Sequence, residues 1–171
     1  MIDSKMQDAI NKQINAELYS SYLYLSMAAY YEDLNLPGFA NWMRVQVQEE
    51  NFHAMKFFNY LIERGGRVVL DAIAMPPTEW ASPLDVFEYT YKHEQLVTSL
   101  INHLMDLSVE IKDYASTNTL QWFVAEQVEE EANADAVVKK LKLMGDAPGG
   151  LFMIDQELSL RVFVPPVATA Q

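Results

Sequence analysis

Four long runs of helical periodicity dominate this sequence. Apolar side chains recur every three to four positions over residues 3–34, 39–64 and 83–112, and again from a brief break near 115–118 to residue 144. At a rise of about 1.5 Å per residue, each helix would extend about 40 to 48 Å. Helices of that length can bury their apolar faces only against one another. We therefore predict an all-α fold, a long four-helix bundle.

Turn residues set the connections between these helices. Pro37-Gly38 and Gly65-Gly66 end the first two runs, and Ser82-Pro83 starts the third. Short connections make the first pair of helices antiparallel, and likewise the last pair. Residues 67–82 carry Pro76-Pro77 and no helical period, and they are numerous enough to travel the length of the bundle. We predict an up-up-down-down type of bundle with a long crossover.

Residues 148–171 lack a long helical run. Pro148-Gly149-Gly150 precedes a short apolar segment at 151–161, which we predict to be a fifth helix. A neutral tail follows at 162–171 and has no predicted place. With 171 residues the chain suffices for one domain with a sizeable core. We expect that domain at 1–161.

Composition excludes several classes of protein. The chain has no Cys, which excludes disulfides, thiolate zinc sites and iron–sulfur clusters. Its net charge of −12 argues against nucleic acid or an anionic membrane as partner and favours cations. Neither a leader segment nor a long uninterrupted apolar run is evident, so we expect a cytoplasmic protein with no membrane partner.

Each predicted helix carries an ionisable or amide residue on its apolar stripe. Singly, such a residue is commonly a boundary residue or one satisfied by a neighbour. Four converging carboxylates would cost several kcal/mol each, on the order expected for buried charges, and no Lys or Arg lies on these stripes to pair with them. A cation is therefore predicted inside the bundle. The stripe residues are Glu17 on the first helix, Glu50 and His53 on the second, Glu94 on the third, and Gln127 and Glu130 on the fourth.

The ligand types indicate the metal. Carboxylate oxygens with one imidazole and no thiolate suit iron or manganese, and two divalent ions would neutralise the four glutamates. Beside the stripe lie Glu126 and Glu129, which Glu49 could meet across a helix pair. Such acids form either a solvated face or a third, weaker metal position.

Seven short stretches of the chain form a recognisable series: Trp42-Met43, Glu49 to Lys56, Arg64-Gly65-Gly66, His93-Glu94, Lys112 to Ala115, Gln121-Trp122-Phe123 and Glu126 to Glu131. In their order and spacing, the chain resembles bacterial non-haem ferritins over residues 1 to about 161. The resemblance implies that Fe(II) is oxidised with O2 or peroxide as oxidant and stored as Fe(III) mineral in a homo-oligomeric shell of twenty-four subunits, with the fifth helix at a fourfold axis.

The resemblance also implies roles for single residues. Glu17, Glu50 and His53 would bind the first iron. The second iron would be bound by Glu50, Glu94 and Glu130, so that Glu50 bridges the two. Gln127 lies beside them. A third iron site would take Glu49, Glu126, Glu129 and Glu130, and Tyr24 and Trp122 would adjoin the dinuclear centre, where either can donate an electron.

Differences between this sequence and other ferritin-like proteins argue against several alternative functions. The fourth helix reads Gln127-Val128-Glu129-Glu130 where haem-binding bacterioferritins repeat ExxH, and Asn51 stands where they carry a haem-ligating Met, so we predict no haem. A di-iron oxidase of organic substrates is an alternative, but Tyr24, Trp122 and Phe123 are expected to fill its substrate space. A DNA-protecting mini-ferritin is another, but an acidic chain without a basic tail binds DNA poorly.

One stretch of the first helix predicts an interface. Residues 19–31 are apolar on nearly every side, more than a single bundle core can cover. We expect the outer face of this stretch to be buried against another copy of the chain.

Overall fold

In a computed structural model, which describes residues 1–165, the chain forms five α-helices. The predicted long all-α bundle is confirmed, because the first four helices hold between 27 and 31 residues. Residues 166–171, the end of the predicted tail, lie outside the described residues. Across the described part, none of the helices is long and apolar enough to span a bilayer. The helices are α1 (Ser4–Asp33), α2 (Pro37–Glu63), α3 (Pro83–Glu110), α4 (Tyr114–Met144) and α5 (Gly150–Leu158).

Local caps explain where α1 and α3 begin. The Asp3 carboxylate accepts a hydrogen bond from the backbone N of Lys5 at 2.8 Å. At α3, the Ser82 hydroxyl accepts from the backbone N of Asp85 at 3.1 Å, and Asp85 in turn accepts from the backbone N of Ala81 at 3.0 Å. These side chains satisfy amides that the first helical turn leaves without partners.

The break between α3 and α4 lies earlier than the sequence predicted. The chain leaves the helix at Ile111–Asp113, not at 115–118, and Lys112 adopts a left-handed φ of 58°. Asp113 then caps α4 by accepting from the backbone N of Ser116 at 3.3 Å. Arg64 from the end of α2 fixes this carboxylate at 3.0 Å. The tertiary ion pair therefore selects Asp113 as the cap.

The crossover between α2 and α3 follows α1 from one end to the other. Asn11 binds the backbone of Arg67 and Val69, and Asn15 binds the carbonyls of residues 71 and 72. Further along, the Ser26 hydroxyl donates to the carbonyl of Pro77 at 2.7 Å. The crossover therefore returns the chain to the end of the bundle where α1 finishes.

This route corrects the predicted direction of the helices. Phe39 and Phe87, near the starts of α2 and α3, pack with ring centroids 5.9 Å apart, so these two helices run parallel. Phe57, near the end of α2, stacks at 3.8 Å on Phe123, near the start of α4. The bundle is therefore up-down-down-up. The predicted order up-up-down-down was wrong, because two antiparallel pairs joined by a crossover that travels the length of the bundle require the order up-down-down-up.

Two apolar clusters fill the bundle, one at each end. The first includes Leu23, Met27, Tyr31, Phe39, Phe87 and Leu141, and the second includes Ile10, Ile14, Phe57, Leu61, Ile101 and Leu120. Along every long helix, the residues between the two clusters include the ionisable side chains of the predicted stripes. A polar layer therefore divides the hydrophobic core.

Helix α5 docks on the start of α2 and ends at Leu158, three residues before the predicted end. The buried Asp155 carboxylate accepts from the backbone N of Gly38 at 2.7 Å and of Phe39 at 3.1 Å, so it caps α2 from outside. The Asn41 amide binds the carbonyls of Leu158, Ser159 and Arg161, which stops the helix.

Candidate metal centre

The polar layer brings the predicted ligands together inside the bundle. The six residues of the predicted stripes are each no more than 4% exposed. They come from all four long helices, since each helix turns one stripe inward. These residues are Glu17, Glu50, His53, Glu94, Gln127 and Glu130.

Glu17, Glu50 and His53 form a candidate ligand group in which all three residues are buried. One ligand atom from each lies within 4.8 Å of the others, and His53 Nδ1 is 3.5 Å from Glu50 Oε2. Oε2 of Glu17 and Oε2 of Glu50 are buried without a hydrogen-bond partner. Gln13 donates to the other oxygen of Glu17 at 2.8 Å. Two free carboxylate oxygens beside an imidazole are suited to hold a divalent cation.

The remaining inner carboxylates are already hydrogen-bonded. The Tyr24 hydroxyl donates to Glu94, and Gln127 Nε2 donates to the same carboxylate at 3.3 Å. Gln46 Nε2 donates to Glu130 Oε2 at 2.9 Å. Glu94 does not join the Glu17 group at 4.8 Å, so the structure brings it into the layer but not into that ligand set.

Burial and mutual repulsion make the ionised layer unfavourable. Desolvation raises the pKa of Glu50 well above its usual value, and repulsion from Glu94, Glu17 and Glu130 raises it further. Desolvation, with repulsion from Glu130, raises the pKa of Glu94 from 4.5 to about 8, although the donors Tyr24 and Gln127 oppose the rise. Among residues 1–165, no Lys or Arg is buried to offset these charges. The buried carboxylates therefore have no buried basic residue of this range as a partner.

We expect the metal-free protein to lose stability as pH rises from about 5 to about 8. The folded pKa of Glu94 is raised, so the folded state binds more protons, and this contribution is present below 4.5 and lost through about 8. Glu50 acts in the same direction. Thermal unfolding measured at pH 5 and at pH 8 should show this decrease in the free energy of unfolding, on the order of a few kcal/mol. Fe(II) added without oxygen should shrink it, because bound cations keep the carboxylates ionised. A metal-free protein that gains stability over this range would contradict the expectation.

Three further carboxylates, Glu49, Glu126 and Glu129, form an outer acid cluster beside the layer. Glu126 is half-buried and Glu129 is exposed. Glu126 joins His53 and Glu130 in a second group whose ligand atoms lie within 4.8 Å of one another. Glu49 and Glu129 belong to neither group. Burial raises the pKa of Glu49 to about 7, although the nearby Arg161 guanidinium lowers it.

Aromatic rings pack against the ligands on two sides. Trp122 and Phe123 contact the His53 ring with centroids 5.5 and 6.0 Å apart. Tyr24 is fully buried and meets the His93 ring edge-on at 5.9 Å. These rings restrict the space beside the carboxylates, as expected for a site that takes ions.

Several residues around the candidate ligands were not assigned a role in the site from the sequence. Gln13 and Gln46 each lie four residues before a ligand glutamate, a spacing that places them on the same helix face. His93 is buried beside Glu94 and lies 2.8 Å from the Ser20 hydroxyl, and desolvation lowers its pKa to about 4. Arg161 pairs with Glu49 over a long sequence separation, for which no local pattern gives a signal.

The chain is similar to known proteins along nearly its whole length. A family model described as a ferritin-like domain matches residues 7–144. A bacterial non-heme ferritin of Bacteroides fragilis (strain 638R) is 48% identical over 161 residues, covering 94% of this chain and 100% of that relative. One of Staphylococcus saprophyticus is 39% identical, covering 95% and 98%. An open-pore ferritin of the archaeon Archaeoglobus fulgidus has a TM-score of 0.94 at 56% identity, covering 95% and 100%. An engineered closed form of the Archaeoglobus fulgidus ferritin has a TM-score of 0.95 at 55% identity, covering 96% and 100%.

Proposed function

Because the chain belongs to the ferritin family, we propose that it stores iron by oxidising Fe(II) at the buried polar layer and enclosing the Fe(III) product in a shell of twenty-four copies. The observation that carries this proposal is the uncompensated charge of the layer. Glu17 and Glu50 each keep a buried, unpartnered oxygen, and within residues 1–165 no buried Lys or Arg neutralises them. Two Fe(II) ions would supply the missing positive charge.

The ligand groups support an asymmetric pair of iron positions. Glu17, Glu50 and His53 would hold the first Fe(II), and Glu50, Glu94 and Glu130 the second, with Glu50 shared. The first position offers an imidazole and free oxygens, whereas Glu94 and Glu130 must give up donors from Tyr24, Gln127 and Gln46. We expect the first ion to bind more tightly than the second, which suits a centre that releases its product.

The reaction balances without a further redox partner. Two Fe(II) ions give up one electron each, and O2 takes both electrons with two protons to form hydrogen peroxide. With peroxide as oxidant, the same two electrons and two protons yield two water molecules. The carboxylates of the layer would hold the two ions during the electron transfer and then release the Fe(III) product, so the protein supplies position and charge.

The wider setting belongs to the same proposal. We place the domain at 1–161 in a cytoplasmic homo-oligomer that binds neither nucleic acid nor haem. Helix α1 supports the shell, because Tyr22 and Leu25 are each 49% exposed on its outer face and lack cover from the bundle. Phe163, in the segment that follows α5, packs on Phe52 of α2.

The decisive experiment follows Fe(II) oxidation in air while a sizing column tracks the product. We expect the protein to oxidise many more irons than two per chain into a soluble large particle. Glu130→Ala should slow the oxidation, because it removes one ligand of the second ion. Oxidation that stops at two irons per chain without mineral would overturn storage in favour of a di-iron oxidase, and no oxidation would overturn both.

A further inference from the structure

The segment that follows α5 folds over the outer acid cluster. Asn41 on α2 holds this turn, because its amide donates to the carbonyl of Arg161 at 2.9 Å and to that of Leu158 at 3.2 Å. Phe163 then reaches Phe52 on α2, with ring centroids 6.5 Å apart. Residues 161–164 therefore lie across α2, close to Glu49.

The Arg161 guanidinium is held in place on three sides. Its Nη2 lies 2.7 Å from Glu49 Oε2, its Nη1 donates to the carbonyl of Trp42 at 3.3 Å, and its Cζ lies 4.4 Å from the centre of the Trp42 ring. The side chains of Arg161 and Glu49 are only 19% and 22% exposed. By contrast, the pair of Arg44 and Glu32 is 52% and 44% exposed. The Arg161 pair is shielded from water and is correspondingly stronger.

A cavity of about 330 Å³ lies under this segment. Residues 161–164 form one side of it, and acids of α2 and α4 form the other. Inside it, His53, Glu126 and Glu130 are near enough to share one cation. Glu49 also lines the cavity, but it belongs to neither ligand group. Its carboxylate forms the ion pair with the Arg161 guanidinium instead.

We propose that Arg161 is a built-in counter-ion for Glu49 that keeps a third divalent cation from binding tightly in this cavity. The inference rests on the proposed function, which assigns two cations to the inner carboxylates. A third cation can use Glu49 only by breaking the ion pair and lying close to a positive guanidinium. Without Glu49, the third cation would have only His53, Glu126 and Glu130, and the inner centre also uses His53 and Glu130. Arg161 therefore limits each chain to two firmly held irons.

The test counts cations per chain by anaerobic Fe(II) titration calorimetry on the assembled protein. We expect two tight Fe(II) ions in the wild type, and a third in Arg161→Gln that binds about 10- to 150-fold more tightly than any third ion of the wild type. Arg161→Lys should restore wild-type behaviour, because it keeps the charge. Adding Glu126→Ala to Arg161→Gln should abolish the third ion.

Two control variants separate charge from packing. Lys140→Gln removes a basic residue whose partner is Glu157 of α5, on an exposed surface, and should leave the titration unchanged. Phe163→Ala loosens the covering segment but keeps the guanidinium, so it should not admit a third ion.

Two results would overturn the inference while leaving the proposed function intact. One is an Arg161→Gln protein that binds two Fe(II) ions exactly as the wild type does, and the other is a Phe163→Ala protein that gains the third ion equally well. Failure of the proposed function looks different, because then the wild type itself binds no Fe(II) at the inner carboxylates, and the inference falls with it.

Discussion

Glu50→Gln is expected to slow Fe(II) oxidation at least about 100-fold and yet to stabilise the metal-free protein. Glu50 is the carboxylate that both proposed iron positions share, so its loss should damage both. Glu50 is only 1% exposed, and the carboxylates of Glu94, Glu17 and Glu130 repel its negative charge. Glutamine keeps the shape, removes one buried charge, and can donate to the unpartnered oxygen of Glu17.

Both halves of this prediction can be measured on one preparation. Urea unfolding of metal-free protein near pH 8 should give a free energy of unfolding about 1 to 4 kcal/mol above the wild type. The initial rate of oxidation in air gives the other half. Glu63→Gln, on the same helix but exposed, should change neither quantity. Unaltered oxidation would remove Glu50 from the centre, and a destabilised metal-free protein would show that its charge is already compensated.

Gly38→Ala should detach α5 from the bundle and cost about 3 kcal/mol or more of folding free energy. A Cβ at this position would lie 1.7 Å from the backbone O of Asp155 and 2.6 Å from its carbonyl carbon. Backbone atoms cannot rotate away as a side chain can, so α5 must move. Asp155 would then lose its hydrogen bonds to the amides of Gly38 and Phe39, which leaves the start of α2 without its cap.

Thermal unfolding and hydrogen exchange together test this second prediction. We expect a lower unfolding temperature and faster exchange at residues 151–158. Gly66→Ala is the control for a clash with side chains alone, because its Cβ would meet Leu61 Cδ1 at 2.5 Å and Ile2 Cγ2 at 3.0 Å and no backbone atom of α5. It should leave exchange in α5 unchanged. Gly38→Ala with wild-type exchange in α5 would mean that the contact tolerates a methyl group.

The candidate ligands stand out in the sequence because they break a strong pattern. Helical spacing assigns an inward stripe to each long helix, and the structure buries both predicted stripe residues of α2, Glu50 and His53. A glutamate on such a stripe is conspicuous. Glu94 stands out in this way on α3, where it is buried. Periodicity finds what faces inward because burial depends on local geometry.

Contacts between distant parts of the chain escaped that reasoning. The break before α4 depends on Arg64 reaching Asp113, and the path of the crossover depends on the amides of Asn11 and Asn15. Neither contact leaves a local pattern, since the partners lie about fifty residues apart. Arg161 is the extreme case, because its partner Glu49 lies 112 positions away. The sequence shows only that Arg161 is the one basic residue after Lys142.

The up-down-down-up arrangement divides the polar layer between two halves of the chain. Helices α1 and α2 form one hairpin with a short loop, and α3 and α4 form the other. The group of Glu17, Glu50 and His53 lies wholly in the first hairpin, whereas Glu94 and Glu130 arrive with the second. During synthesis, the first half of the chain therefore carries a complete set of three ligands before the second half exists. The repulsion of Glu94 and Glu130 with Glu50 arises only when the two hairpins dock and bring these carboxylates into one layer.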